Sequence, residues 1–321
     1  MKKLFCFWVC FVALAGDTLG ASSYQNQSYP IRSITLVCPV SPGGISDFVS
    51  RTIAAYAERH LGQRINVINK PGGTASIGLT MVAASKPDGY LIGYAPGVIS
   101  GLQYLGYSDV KPEQFETIML AVTMPAAITV QANSSYRNIN DLIAAAKQRP
   151  GQLVIANAGV GSPWHMSAVA LEKKTGTRFK HVPFDGSAPA LVALLGGHVD
   201  AAATAPSETL AHVNAGKLRV LGVMDKRRFE PLKQTPTLKE RGIPLVVVDW
   251  GGFVAPKGIP ADVLEALRTA FKKAFDEKGV KELYAKQGLG YTYLSGEDFG
   301  KFTRDQTSVF KEMIANAGLS K

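Results

Sequence analysis

The sequence predicts an α/β fold of two lobes, and three observations predict it. Apolar stretches of strand length alternate with stretches of helical periodicity along most of the 321 residues. Breakers rich in glycine and proline separate them. Two of the resulting loops, more than a hundred residues apart, share one construction: a strand, a glycine-rich turn and a helix start.

The first elements follow in order. Ile34 to Val40 reads as a strand, and after Ser41-Pro42-Gly43-Gly44 the apolar positions Phe48, Val49, Ile53 and Tyr56 recur at helical spacing up to Gly62. Arg64 to Asn69 alternates Ile65 and Val67 with polar neighbours, as a second strand does. The run Asn69-Lys70-Pro71-Gly72-Gly73 leads into a helix through about Ala84, and Pro87-Asp88-Gly89 turns into the strand Tyr90 to Tyr94. These units make one α/β lobe.

A second cycle begins near Ala126. Ile128-Thr129-Val130 is a strand, and Asn140 or Asp141 caps a helix that Pro150-Gly151 ends. Leu153 to Ala156 runs into Asn157-Ala158-Gly159-Val160-Gly161-Ser162-Pro163 and the helix Trp164 to Lys174. Further units are the helices 188–195 and 207–215 and the strands 199–203 and 218–223. Leu245 to Val248 is strand-like, and amphipathic helices cover 261–275 and 296–317. The lobes are expected at 28–125 plus 252–321 and at 126–251, with the chain crossing near Met124 to Ile128 and Trp250 to Val254. Such crossings are natural hinges.

The N-terminus departs from this pattern. Met1-Lys2-Lys3 precedes an apolar run from Leu4 to Ala15, about 12 residues against the ~20 that span a bilayer as a helix. With the small residues ending at Ala21, residues 1–21 read as a secretory signal peptide, cleaved after Ala15 or Ala21 and directing the chain to the periplasm. Cleavage after Ala21 removes Cys6 and Cys10. Cys38 is then left alone in an apolar strand, a packing thiol that has no partner for a disulfide.

The whole chain carries a formal charge of +10, which falls to +9 when the two lysines and one aspartate of the signal are removed. Its basic residues are dispersed, without the interleaved aromatics of single-strand binders, so no nucleic-acid partner is expected. A positive field raises the local concentration of an anionic solute. The five histidines lack metal-ligand spacing, so neither a metal nor a cofactor is expected.

The two matched loops carry the functional reading. In both, glycines let the backbone approach a ligand, and the free N–H groups and dipole of a helix start favour negative charge. Facing each other from two lobes, they clamp a carboxylate. The alternative is that they are ordinary turns in which Asp47 and Ser162 cap their helices. Neither loop matches the dinucleotide or Walker phosphate pattern.

The sequence resembles the Bug, or tricarboxylate-binding, receptors of tripartite tricarboxylate transporters. The resemblance is carried by Tyr29-Pro30-Ile31-Arg32, Val40-Ser41-Pro42-Gly43-Gly44 with Asp47, Asn69-Lys70-Pro71-Gly72-Gly73 with Ile77-Gly78, and Lys86-Pro87-Asp88-Gly89-Tyr90. It continues through Gly159-Val160-Gly161-Ser162 with His165, His181-Val182-Pro183-Phe184, Gly196-Gly197 with Val199-Asp200, and Ala215-Gly216-Lys217-Leu218-Arg219. It implies a two-lobed, periplasmic-binding-protein-like fold of type II with a ligand cleft between the lobes. The expected molecule is a monomer that captures a small mono- or dicarboxylate, aromatic acids included, and delivers it to a membrane permease.

The resemblance also implies a site. Pro42, Gly43, Gly44, Ser46 and Asp47 stand on one wall; Gly159, Gly161, Ser162 and His165 stand on the other, with Thr204 and its neighbour Ala205 nearby. Family members often carry a Met-Phe-Asp type sequence after Val-Asp, where this chain has Ala201-Ala202-Ala203-Thr204. The missing acid points away from ligands with a free ammonium, and Thr204 offers a hydroxyl instead. Phe184-Asp185 likewise replaces the usual Tyr-Lys.

The competing readings are a secreted hydrolase using Ser162 and His165, and a carboxylate sensor independent of transport. The hydrolase reading is disfavoured because Ser162 lies outside a Gly-x-Ser-x-Gly elbow, between Gly161 and Pro163.

Overall fold

The structure is a computed structural model that describes residues 29–106 and 108–320. The signal peptide expected at 1–21 lies outside these residues. The first lobe opens with β1 (Ile34–Cys38), α1 (Ile45–Leu61), β2 (Ile65–Asn69), α2 (Ser76–Ala83), β3 (Leu91–Pro96) and the single turn α3 (Leu102–Leu105). It continues into the eleven-residue strand β4 (Phe115–Pro125). The second lobe runs through β5 (Ala127–Gln131), α4 (Ile139–Gln148), β6 (Val154–Asn157), α5 (Pro163–Thr175), β7 (Lys180–Pro183), α6 (Ser187–Leu195), β8 (Ala201–Thr204), α7 (Pro206–Asn214) and β9 (Leu218–Val223). The chain then returns with β10 (Val248–Pro256), α8 (Ala261–Asp276), α9 (Lys278–Gln287) and α10 (Gly296–Asn316).

The two sheets have the same plan. One has the order β2-β1-β3-β10-β4 and the other β7-β6-β8-β5-β9. In each, three parallel strands are followed by one antiparallel strand, which pairs with a fifth on its far side. β1 and β6 occupy equivalent places, each flanked on both sides by parallel neighbours. The loop after such a strand lies where the strand order reverses, the position at which open α/β sheets bind ligands. That equivalence explains why the two glycine loops look alike.

Strand and helix composition follow from burial. Ile34, Leu36, Val37 and Cys38 of β1 are all buried, as expected for a strand with both faces covered. On α8 the buried residues Val263, Leu264, Leu267, Ala270, Phe271, Ala274 and Phe275 recur at three and four residues and form the stripe that meets α1. Phe253 and Phe271 meet edge to face at 4.9 Å. With Phe271 wholly buried, truncating it to alanine is expected to cost about 3–5 kcal/mol. α1 stops at Gly62, whose left-handed φ of 68° allows its N–H to reach the carbonyl of Glu58 at 2.9 Å.

The first crossing falls at Ala126, between β4 and β5. The second falls at Val247, just before β10, because Val248 to Gly251 already pair with β4; the expected crossing at Trp250 to Val254 lies inside a strand instead. Ala126 N–H donates to Val247 O at 2.8 Å, Val247 N–H to Met224 O at 2.9 Å, and Met224 N–H to Ala126 O at 2.7 Å. The two crossings are thereby tied to each other and to the end of β9.

Candidate functional site

Between the lobes lies a cavity of about 50 Å³, partly open to solvent. Its first-lobe wall comes from Val40, Ser41, Gly44 to Ser46, Thr74, Ala75 and the Pro96 turn; its second-lobe wall comes from Ser162 to Trp164, Gly186, Ser187 and Glu208. α1, α2, α5, α6 and α7 all begin at or beside this lining. The first amides of a helix have no intrahelical acceptor, so these starts direct N–H groups and positive dipole ends into the cleft.

The first loop is held open by its own acid. Asp47 accepts from Gly43 N–H at 3.1 Å, from Arg51 Nε at 3.0 Å and from Asn69 Nδ2 at 2.9 Å. Burial alone raises its carboxyl, yet these donors outweigh it and hold the group below the usual carboxylate range. Asp47 is buried and spent on the loop, which it folds so that Gly44 and Ser46 line the cavity. Gly43, at φ 92°, and Pro42 are exposed at the rim and lie off the lining.

The second loop is built in the same way by different groups. Ser162 caps α5 by accepting the His165 N–H at 3.2 Å, and His165 Nδ1 accepts the Gly161 N–H at 3.0 Å. Gly159 N–H is received by Asn157 Oδ1 at 3.1 Å. Burial first, and then the His181 ring packed edge-on at 4.7 Å, push His165 down to about 4. A neutral imidazole whose Nδ1 already accepts a main-chain N–H makes no hydrogen bond to Ser162 Oγ, so the geometry of a nucleophile with its base is lacking. Ser162 lines the cavity, whereas His165 stands behind it and shapes the loop.

Thr204 and Ala205 are fully buried at the end of β8 and do not reach the cavity surface. Gly159 lines an outer groove, with Thr74, Phe184 and Asp185, that leads to the cavity. Of the expected residues, then, Gly44, Ser46 and Ser162 come together on the cavity itself.

Two acids escaped the sequence reading. Glu208 belongs to the first turn of α7, and its Oε2 accepts the Ala205 N–H at 3.1 Å while Oε1 accepts the Ile45 N–H of the facing lobe at 3.2 Å. The residue keeps some surface towards the cavity, but its carboxyl is packed round by protein, and burial raises it against those hydrogen bonds and that from Ser187. Asp249, second residue of β10, is 5% exposed and its Oδ1 has no hydrogen-bond partner. Burial lifts it to about 7, with the charge of Glu208 adding to the effect; the amides of Trp250 and Gly97 counteract it without reaching hydrogen-bond geometry at Oδ1. The cleft therefore has acidic groups despite the absent one near Thr204, from positions that the sequence presents as a helix start and a strand start.

Among the described residues, three hydrogen bonds join the lobes beside the cavity, Ile45 N–H to Glu208, Ser41 N–H to Asp185 O at 3.0 Å and Thr74 Oγ1 to Val160 O at 3.0 Å, and Lys173 Nζ of α5 donates to Asn316 O of α10 as a fourth. Thr74 and Ala75 hold φ of 53° and 75°, a left-handed backbone unusual away from glycine and concentrated here beside the cavity. Among the described residues no cluster of potential metal ligands occurs, and no helix is long and apolar enough to cross a membrane.

Comparison with known proteins places this geometry. The chain is 32% identical over 97% of its length, and 96% of the relative's, to the UPF0065 protein in the gbd 5′ region of Cupriavidus necator. It is similar in structure to the periplasmic binding protein BugD, with a TM-score of 0.86 and 29% identity over 91% of this chain and all of that one. It is equally similar to Rpa4515 of R. palustris, solved with adipate, with a TM-score of 0.86 and 26% identity over 91% and 99% of the two chains. These neighbours share the two-lobed fold of periplasmic binding proteins. The TctC family, described as the tripartite tricarboxylate transporter family receptor, matches residues 49–319, and the chain belongs to this family of Bug-type receptors.

Proposed function

We propose that the mature chain is a periplasmic solute-binding protein that takes a small organic carboxylate into the cleft and presents it to the membrane subunits of a tripartite transporter. The single observation that carries this reading is the convergence of helix starts from both lobes on one cavity. A carboxylate there receives main-chain N–H groups and favourable dipole ends at once, and burial between the lobes strengthens both. The adipate held by Rpa4515 is a carboxylate bound by a protein of the same family, which supports the ligand class. Gly44, Ser46 and Ser162 are the contact residues of this proposal, with Asp47 and His165 positioning their loops. The protein acts as a monomer and leaves its ligand chemically unchanged.

The test is calorimetry and thermal shift against a broad panel of organic acids, with recovery of the ligand by mass spectrometry. Stabilisation should grow with concentration by mass action, and the acid should return intact. Turnover that disappears in Ser162→Ala would sink the receptor reading in favour of the hydrolase. Native mass spectrometry of freshly purified protein identifies any acid carried from the cell.

A further inference from the structure

The inner cavity and the outer groove share two lining residues, Ser41 and Thr74, both of the first lobe. Each makes a hydrogen bond across the cleft, and each makes it to a second-lobe residue of the groove: Ser41 N–H donates to Asp185 O at 3.0 Å, and Thr74 Oγ1 to Val160 O at 3.0 Å. The second lobe receives both at a glycine. A β-carbon on Gly159, φ 115°, would come within 2.8 Å of Thr74 Oγ1, and one on Gly186, φ 128°, would lie 3.4 Å from Ser41 N. The two contacts are bars seated in notches, drawn across the passage between the two spaces.

Thr74 is held there under strain. It is β-branched at φ 53° and is followed by Ala75 at 75°, a left-handed backbone that glycine takes freely. Its hydroxyl is engaged across the cleft, which gives the strained side chain a task at this position. The spaces on either side of it differ in size. The 50 Å³ inside the bars is room for about four water-sized groups, against about 510 Å³ in the groove. Beyond the bars the walls are largely apolar, with Val160, Pro183, Phe184 and Pro189.

We propose that Thr74 determines the length of acid that the cleft accepts. With its hydroxyl on Val160 the bars enclose a short acid whole, whereas a longer one must break that bond to run its tail into the groove. Ser41 contributes main chain to its bar, so Thr74 is where a side chain alone sets the width of the passage. The inference rests on the reading that the cleft holds a carboxylate.

The experiment measures affinity by calorimetry on the full mature chain, for straight-chain monocarboxylates from propionate to octanoate and dicarboxylates from malonate to suberate. The unaltered protein should bind the shorter members of a series more tightly. In Thr74→Gly, which suits the left-handed backbone and removes the bar, the affinity of the longest members relative to the shortest should rise about tenfold. Thr74→Ser keeps the hydroxyl and should keep the length profile of the unaltered protein. An unchanged profile in Thr74→Gly, a Thr74→Ser profile that matches the glycine variant, or tightest binding of the longest acids by the unaltered protein overturns the proposal and leaves the carboxylate reading standing. Failure of every acid with all three proteins overturns the carboxylate reading itself, and the proposal with it.

Discussion

Glu208 of the second lobe accepts the main-chain N–H of Ile45, the first residue of α1 in the first lobe, at 3.2 Å. The protein thus places one of its own carboxylates on a helix start that faces the ligand cavity, and the same group caps α7 through Ala205. Contact between the lobes and the capping of two helix starts are joined in one side chain. Glu208→Ala removes both hydrogen bonds and is expected to cost about 1–2 kcal/mol. A fall in melting temperature of a few degrees should accompany a larger radius of gyration in small-angle scattering. An unchanged radius would show that Glu208 does not hold the lobes together.

The two clamp glycines differ in what they tolerate. Gly44 has φ −87°, and an added β-carbon meets Glu208 Oε1 at an ordinary 3.4 Å. Gly161 has φ 77°, and its β-carbon would lie 2.4 Å from both methyl carbons of Leu105. Gly44→Ala should therefore keep the melting temperature within about two degrees while weakening ligand affinity, whereas Gly161→Ala should destabilise by about 1–3 kcal/mol. Equal stability of the two variants in denaturant titration would contradict this contrast.

The contribution of Asp249 to stability should fall as pH rises from about 4 to about 7, against that of His165, which is held down at about 4 and favours folding more as pH rises through the same interval. Asp249 holds its proton in the folded protein up to about 7, and loses it near the ordinary value when unfolded. Across that interval this carboxyl binds more protons in the folded state, so its own contribution moves towards unfolding with each step of pH. Glu208, also raised by burial, acts in the same direction, and Tyr94, whose phenol is raised well above its ordinary value by burial and then by the charge of Asp249, stays neutral throughout. In melting curves from pH 4.5 to 7.5, Asp249→Asn should gain stability relative to the unaltered protein as pH rises, because it keeps the His165 contribution and loses the opposing one. A variant with the original slope would assign the effect to another group.

Cys38 is buried in β1, and burial pushes its thiol up to about 12. Labelling by a thiol reagent at neutral pH should proceed at the rate of unfolding and be slow in the native state. Fast labelling that is insensitive to denaturant would mean that β1 opens locally.

Much of the fold was legible because its strands are short, strongly apolar and separated by glycine and proline. Ile34 to Cys38, Ile65 to Asn69 and the helix after Gly44 are local patterns that tertiary contacts reinforce. β4 was not, since Ile118 to Val122 is buried on both sides and shows no alternation to mark it as a strand. The second crossing was misplaced for a related reason: Trp250 to Val254 has hinge-like glycines, but Gly251 and Gly252 are needed because Tyr94, Phe299 and the Met119 carbonyl press against them within the sheet. In the site, the glycine turns were readable as turns. What Asp47 and His165 do was not, because their partners Asn69 and His181 come from other strands. Glu208 carried a weak local signal, an acid in the first turn of a helix that starts with Pro206; Asp249 carried none, since its isolation is a property of the packed molecule.

The insertion of β10 between β3 and β4 has a temporal side. β5 to β9 are contiguous in the chain, so the second lobe has all five of its strands once Val223 is available. The first lobe, although it begins earlier, must keep a gap in its sheet until Pro256 arrives. The earlier half of the polypeptide therefore waits for the later one, with the edges of β3 and β4 open to mispairing meanwhile. A chain truncated after residue 247 should yield a protease-resistant second lobe and a first lobe that is digested.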